Sequence, residues 1–158
     1  MPSCRRAGRQ DIRRSGRISC RQARRQLGIA ASILGPEQAI TRATTHDLLG
    51  YLADGLDEAR AHRVAAFQAA LEAGIAPLIA RALVGIADLA LRGERYEQAA
   101  RLLAASAGVR GSPDFAQPDV ARIEQATRRG LGEARFAEAT QEGQQASWPE
   151  LAEATLAG

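Results

Sequence analysis

The sequence is expected to fold as an all-α domain, with antiparallel helix pairs stacked into a short solenoid and closed by a C-terminal helical cap. Three observations lead there. Hydrophobic residues make up 46% of the chain, but many are alanine and aromatics are only 4%. Alanine has the best helix propensity and gives a pleated sheet face little to pack with. Apolar residues recur at helical spacing through 56–73 and again through 77–106. Gly, Pro and Asp-Gly fall between these stretches, where helices stop and start.

Taken in order, residues 1–26 are polar and too hydrophilic to bury themselves, and read as a disordered leader. The run 27–35 (LGIAASILG) is the end of a partial helix stopped at Gly35-Pro36, and 37–42 adds another turn. Thr44-Thr45-His46-Asp47 offers an N-cap and an acidic first turn ahead of Leu48, Leu49, Tyr51 and Leu52. Asp54-Gly55 breaks that helix. The next, 56–73, sets Leu56, Ala59, Val64, Phe67, Ala70 and Leu71 on one face, with Gly74 as its stop. Pro77 suits the first turn of a helix over 77–92, whose stripe is Leu78, Ala82, Ile86, Leu89 and Ala90. Gly93-Glu94 turns the chain into a helix from Tyr96 to about Ser106, with Tyr96, Ala99, Leu102 and Leu103 inward.

A linker follows at 108–118, carrying two Gly and two Pro. Helices are expected over 119–129, led by Val120 and Ile123, and over 133–142, anchored by Phe136. Ser147-Trp148-Pro149-Glu150 matches a capping box, in which Ser147 caps and Glu150 reaches back to the Ser147 amide. The last helix, to Leu156, docks through Trp148 and Leu151. The domain plan is therefore a leader (1–26), a partial helix and linker (27–46) and a helical domain (47–158). Within the helical domain, repeats are placed at about 47–73 and 77–106 and cap helices at 119–157.

The formal charge of +3 hides an asymmetry. The leader carries Arg5, Arg6, Arg9, Arg13, Arg14, Arg17, Arg21, Arg24 and Arg25 against the single Asp11, while beyond Arg25 acids outnumber arginines. Basicity thus describes the tail and is no evidence that the domain binds nucleic acid. Two readings of the leader stand. It is a basic arm for nucleic acid or an anionic surface, acting through those nine arginines, or an inert leader from an upstream start site. An arm that reads RNA usually interleaves aromatics for stacking, and none precedes Tyr51. Arg-rich RNA-binding helices do without them, so both readings stay open.

No catalytic, cofactor or metal site is expected. Cys4, Cys20, His46 and His62 are spaced too widely for a zinc cluster, and two cysteines in a tail make no disulfide framework. His62 reads as a half-exposed helix residue and His46 as a cap-region residue. No G-x-S-x-G elbow or strand is present to hold a Ser/His/Asp triad. Asp57-Glu58 sits at a helix N-terminus, where the dipole is sufficient reason for acid, and Arg128-Arg129 near a C-terminus is the mirror case. Trp148 reads as a core plug. There is no signal-peptide core and no apolar run of the roughly 20 residues that span a bilayer, so the expected location is cytoplasmic, with no membrane partner.

Two turns resemble each other: 52–60 (LADGLDEAR) and 91–101 (LRGERYEQAAR). Each is helix, Gly turn, acidic first turn, then a small residue, Ala59 or Ala99, facing back on the preceding helix. Their spacing is close to the period of about 34 residues of tetratricopeptide repeats, with a few residues inserted. Leu49-Gly50, Tyr51 and Gly85 serve the same close approach from the other helix. The longer order of elements resembles the C-terminal end of actinobacterial-type transcriptional regulators, the SARP/AfsR-like and LuxR-like proteins with an upstream nucleotide-binding switch domain. Leu83-Val84-Gly85-Ile86-Ala87, then 93–103, the linker 108–118, Leu131-Gly132 with Phe136 and Ala139, and 147–156 carry that resemblance.

The resemblance implies a tetratricopeptide-like tail that binds protein and is not an enzyme. The regulators' other parts are not legible here: no G-x-x-x-x-G-K-[ST] loop occurs, the chain has no lysine, and no helix-turn-helix can be read. The chain is thus expected to be a fragment. Repeat geometry places Arg81, Val84 and Asp88 on the concave, protein-binding face. Two repeats are fewer than the three or so that usually make a stable stack, so a protein partner or self-association is expected. Nucleic acid is expected only through the N-terminal arm, and no small-molecule substrate.

Overall fold

Helical order begins before the composition of the leader changes. The computed structural model describes residues 20–112 and 117–158. Residues 20–33 are already helical (α1), so 20–26 belong to a helix and not to a disordered leader. The rest of the leader, with Cys4, Arg5, Arg6, Arg9, Arg13, Arg14 and Arg17, lies outside the described residues. A 3-10 turn at Pro36–Gln38 then leads into α2 (Ala39–Leu52). The expected N-cap at Thr44-Asp47 is corrected here. Pro36, with its fixed φ, starts the helix instead of only ending the previous one. The Gly35 amide donates to Gln38 Oε1 at 3.2 Å, closing the entry turn. Thr44 sits inside α2, its hydroxyl donating to the Ile40 carbonyl at 3.0 Å.

The next hairpins follow the sequence closely. α3 (Leu56–Ala73) ends at Gly74, whose φ of 65° lets its amide reach the Ala70 and Leu71 carbonyls. α4 (Ala76–Arg92) takes Pro77 in its first turn. At its far end Gly93 keeps a φ of −90°, and the left-handed residue is Glu94, at φ 57°. α5 (Tyr96–Arg110) runs past Ser106 and through Gly108, which faces solvent, because Val109 still packs on the core. The linker is correspondingly shorter, since Pro118 opens α6 (Pro118–Leu131). α7 (Glu133–Gln145) and α8 (Trp148–Ala157) complete the chain. Ser147 makes no side-chain cap, so the expected capping box is absent; the Leu151 amide bonds the Ser147 carbonyl at 3.0 Å.

α2 packs along α3 and α4 along α5, and α3 joins the two hairpins by packing on α4. α4 is the central element. Ala80, Ala82, Leu83, Val84, Ile86, Ala87, Leu89 and Ala90 are all buried, so it is apolar around most of its circumference. Phe67, Leu102, Ile123 and Ala152 close on it from α3, α5, α6 and α8. Trp148 meets Phe67 edge-on at 6.2 Å between centroids, as a core plug would. The C-terminal part departs from simple hairpin stacking. α7 packs mainly on α5 and less on α6, and α8 lies against α3, α4 and α5. Gly143 explains the α5–α7 approach: a Cβ there would stand 2.5 Å from Arg101 Cα. Among the described residues there is no strand and no helix long and apolar enough to cross a membrane.

Candidate functional site

Arg63 is the least expected feature of the interior. It lies on α3 between Ala59, Ala66 and Phe67, on the face that packs inward, and is 1% exposed. A guanidinium so placed must be paired, because an isolated buried charge costs far more than the fold could bear. Its partners come from the two flanking helices. Nη1 donates to the Asp47 carbonyl at 3.0 Å and to the Asp47 carboxylate on α2, and Nη2 stands 3.7 Å from Asp88 Oδ2 on α4. The plane of the guanidinium covers the Tyr51 ring, 4.0 Å from its centroid. Nε and Nη2 of Arg63 and the Tyr51 hydroxyl are buried without hydrogen-bond partners.

Two glycines make room for this side chain. A Cβ at Gly50 would stand 2.8 Å from Arg63 Nε, and one at Gly85 would stand 2.8 Å from both Arg63 Cζ and Asp47 Oδ1. Both glycines were expected to serve helix–helix approach; what approaches them is the arginine. Burial pushes the Asp47 carboxyl above its usual value, with Arg63 and Arg81 opposing the shift. Burial likewise pushes the Tyr51 phenol up, so it stays neutral.

Each buried aspartate is also tied to an arginine of the next helix pair. Arg81 Nε on α4 donates to Asp47 Oδ2 at 2.8 Å, and Arg122 Nη2 on α6 donates to Asp88 Oδ1 at 2.5 Å. Arg81 follows Asp47 by 34 residues, and Arg122 follows Asp88 by 34 residues. The same step along the chain carries Asp47 to Asp88 and Arg81 to Arg122, so one contact is made twice. Farther along, Arg92 donates to the Gly50 and Ala53 carbonyls at 3.2 and 3.0 Å, capping the C-terminal end of α2. Since Asp47 meets Arg81 and Ala53 meets Arg92, α2 and α4 run in the same direction. Chemically this is a network of ion pairs that leaves Arg63 Nε and Nη2 and the Tyr51 hydroxyl without hydrogen-bond partners. Both carboxylates hold guanidinium partners, Asp47 with Arg63 and Arg81 and Asp88 with Arg122.

Of the residues expected to face a partner, Arg81 is partly exposed and lines a groove of about 640 Å³ with Ile40, Ile75, Leu78, Arg110 and Asp119. Val84 is not at a surface. It is 1% exposed in the core, because α4 is enclosed on nearly every side. Asp88 is 4% exposed and lies beneath Arg122. Three of the leader's arginines are described, all on α1: Arg24 pairs with Asp54 and Glu58, whereas Arg21 and Arg25 are exposed. Arg128 stacks on Phe136 at 4.1 Å and pairs with Glu124 and Glu133, a fuller role than a dipole partner. His46 lies mid-helix, not in a cap, and meets His62 across α2 and α3, with 3.1 Å between the Nδ1 atoms.

What the sequence reading missed was Arg63 with Asp47. The available signal was a charged residue four positions from both Ala59 and Phe67, on the apolar stripe itself. No family model, curated protein or solved structure matches the chain.

Proposed function

We propose that the chain is a non-catalytic, tetratricopeptide-like helical-repeat module that acts by binding protein, and that it corresponds to the tail of a transcriptional regulator. The observation that carries this reading is the repeated tie between successive helix pairs, Asp47 to Arg81 and Asp88 to Arg122. A contact recurring at one register is what stacked copies of a supersecondary unit produce. α2–α3 and α4–α5 are then successive repeats, α6 begins a third, and α7 and α8 close the stack. In such a module the surface does the work and the interior only sets its shape. As a regulator's tail it would act in the cytoplasm.

The apolar residues left outside favour association. Ile29, Ile33 and Ile40 are 49%, 76% and 54% exposed, and Leu71 and Ile75 are also open. They lie on the N-terminal half of the chain, where a stack of repeats would begin. Light scattering on the full chain is expected to show a mass that rises with concentration, and Ile33→Glu with Ile40→Glu is expected to return it to that of one chain. A monomer at all concentrations that melts cooperatively contradicts this reading.

A further inference from the structure

The His46–His62 contact lies between α2 and α3, apart from the Asp–Arg ties. The centroids of the two rings are 5.4 Å apart, and their Nδ1 atoms 3.1 Å. The difference is about two ring radii, so both nitrogens lie between the rings, close to the line joining them. Lone pairs aimed head-on suit one shared proton, N–H to N; a tetrahedral metal would need them to converge at an angle. The contact therefore requires at least one neutral imidazole. With both protonated, it has two donors, two charges and no acceptor.

The surroundings are mostly positive. Arg42 of α2 faces His46, while Arg63 of α3 and Arg24 of α1 face His62. Burial holds both imidazoles below the ordinary histidine range, and these cations act in the same direction. Among the described residues, the acidic group acting on His62 is Glu58, a helical turn before it. That carboxylate is also what holds α1: Glu58 Oε1 accepts from Arg24 Nη2 at 2.5 Å. The other acceptor for Arg24 is Asp54, whose side chain is 87% exposed and hence weakly held. No residue of 20–33 is buried, so the helix lies on the surface of the fold.

We propose that the histidine pair is a proton-operated latch: the first proton, at His62, draws Glu58 away from Arg24, a second splits the pair, and α1 is freed from the α2–α3 hairpin. The sign follows from the lowered affinity for protons in the folded state. The stabilisation is complete above the ordinary histidine range, about 6.5, and is lost as pH falls through and below it. The latch thereby couples mild acid to release of the arginine-bearing N-terminal helix.

Hydrogen exchange over 20–33 in the full chain, corrected for intrinsic rates, tests this at about pH 7.5 and about pH 5.5. In the wild type, protection of α1 is expected to fall about tenfold or more on acidification, while that of α4 holds. His62→Gln is expected to keep its neutral-pH protection in acid, and Glu58→Gln to lack it at both values. Imidazole titration by NMR on the unsubstituted chain gives an arm that needs no variant. Two separated steps are expected, with His62 taking the first proton. Unchanged protection of α1 in acid, equal loss in His62→Gln, or two imidazoles titrating together at the ordinary value overturns the latch.

Discussion

Arg63→Ala is expected to lose about 3–5 kcal/mol of stability, the range for removing one partner of a buried ion pair. The cost arises less from the contacts removed than from what remains. Asp47 and Asp88, 3% and 4% exposed, would be left in the interior with only Arg81 and Arg122 reaching in from the rim. For a domain of ordinary stability, about 5–15 kcal/mol in total, that is a large fraction. Urea denaturation with an unchanged slope and a lower midpoint would read it directly. A companion variant separates charge from packing. With Arg63→Met, Asp47→Leu and Asp88→Leu together, no buried charge is stranded, and stability is expected to return to the wild-type level or above it. The network then serves to set the register of α2, α3 and α4, a role attested for buried polar groups elsewhere. If Arg63→Ala costs no more than a surface substitution, about 0.5 kcal/mol, the network does not organise the interior.

Gly143→Ala is the second large effect. A single methyl at this position would enter the backbone of α5, 2.5 Å from Arg101 Cα and 2.8 Å from the Arg101 carbonyl carbon. Backbone cannot swing aside as a flexible side chain can, so α7 must shift as a unit. Alanine would otherwise favour the helix by up to about 1 kcal/mol over glycine; here overpacking is expected to outweigh that, for a net loss of about 1–3 kcal/mol. The ion pairs that tie α7 to α5, Arg101 with Glu142 and Arg135 with Glu97, would lengthen with the displacement. Thermal unfolding measures the loss, and a rise in melting temperature for Gly143→Ala would show that the two helices do not approach as described.

Most of the helical skeleton was legible because its signals are local. The limits of α3 were read to the residue, from Asp54-Gly55 before it and Gly74 after it. Errors came where two local signals competed. Thr44 to Asp47 looked like a cap because hydroxyl and acid precede apolar residues, yet Pro36 starts the helix earlier and packing buries Thr45 and Asp47 within it. Gly108 looked like a break, but Val109 beyond it has a place in the core and holds α5 together to Arg110. Ser147 and Glu150 have the right spacing for a box that does not form.

The site was harder for a different reason. Arg63, Asp47 and Asp88 are distant in sequence, and each alone resembles a surface residue of an amphipathic helix. Their meaning depends on three helices converging, and on Gly50 and Gly85 leaving space. Val84 and Asp88 were assigned to a concave face by counting along a helix as if one side were open, whereas α4 is covered nearly all round.

The repeated Asp–Arg tie is most directly tested by paired double-mutant cycles. One cycle combines Asp47→Asn with Arg81→Gln, the other Asp88→Asn with Arg122→Gln, each read by denaturant unfolding. The two aspartates are buried alike and the two arginines are both partly exposed. Equivalent repeats therefore predict favourable coupling in both cycles, within about 0.5–3 kcal/mol and of similar size. Coupling in only one cycle, or in neither, would contradict the reading of α2, α4 and α6 as copies of one unit.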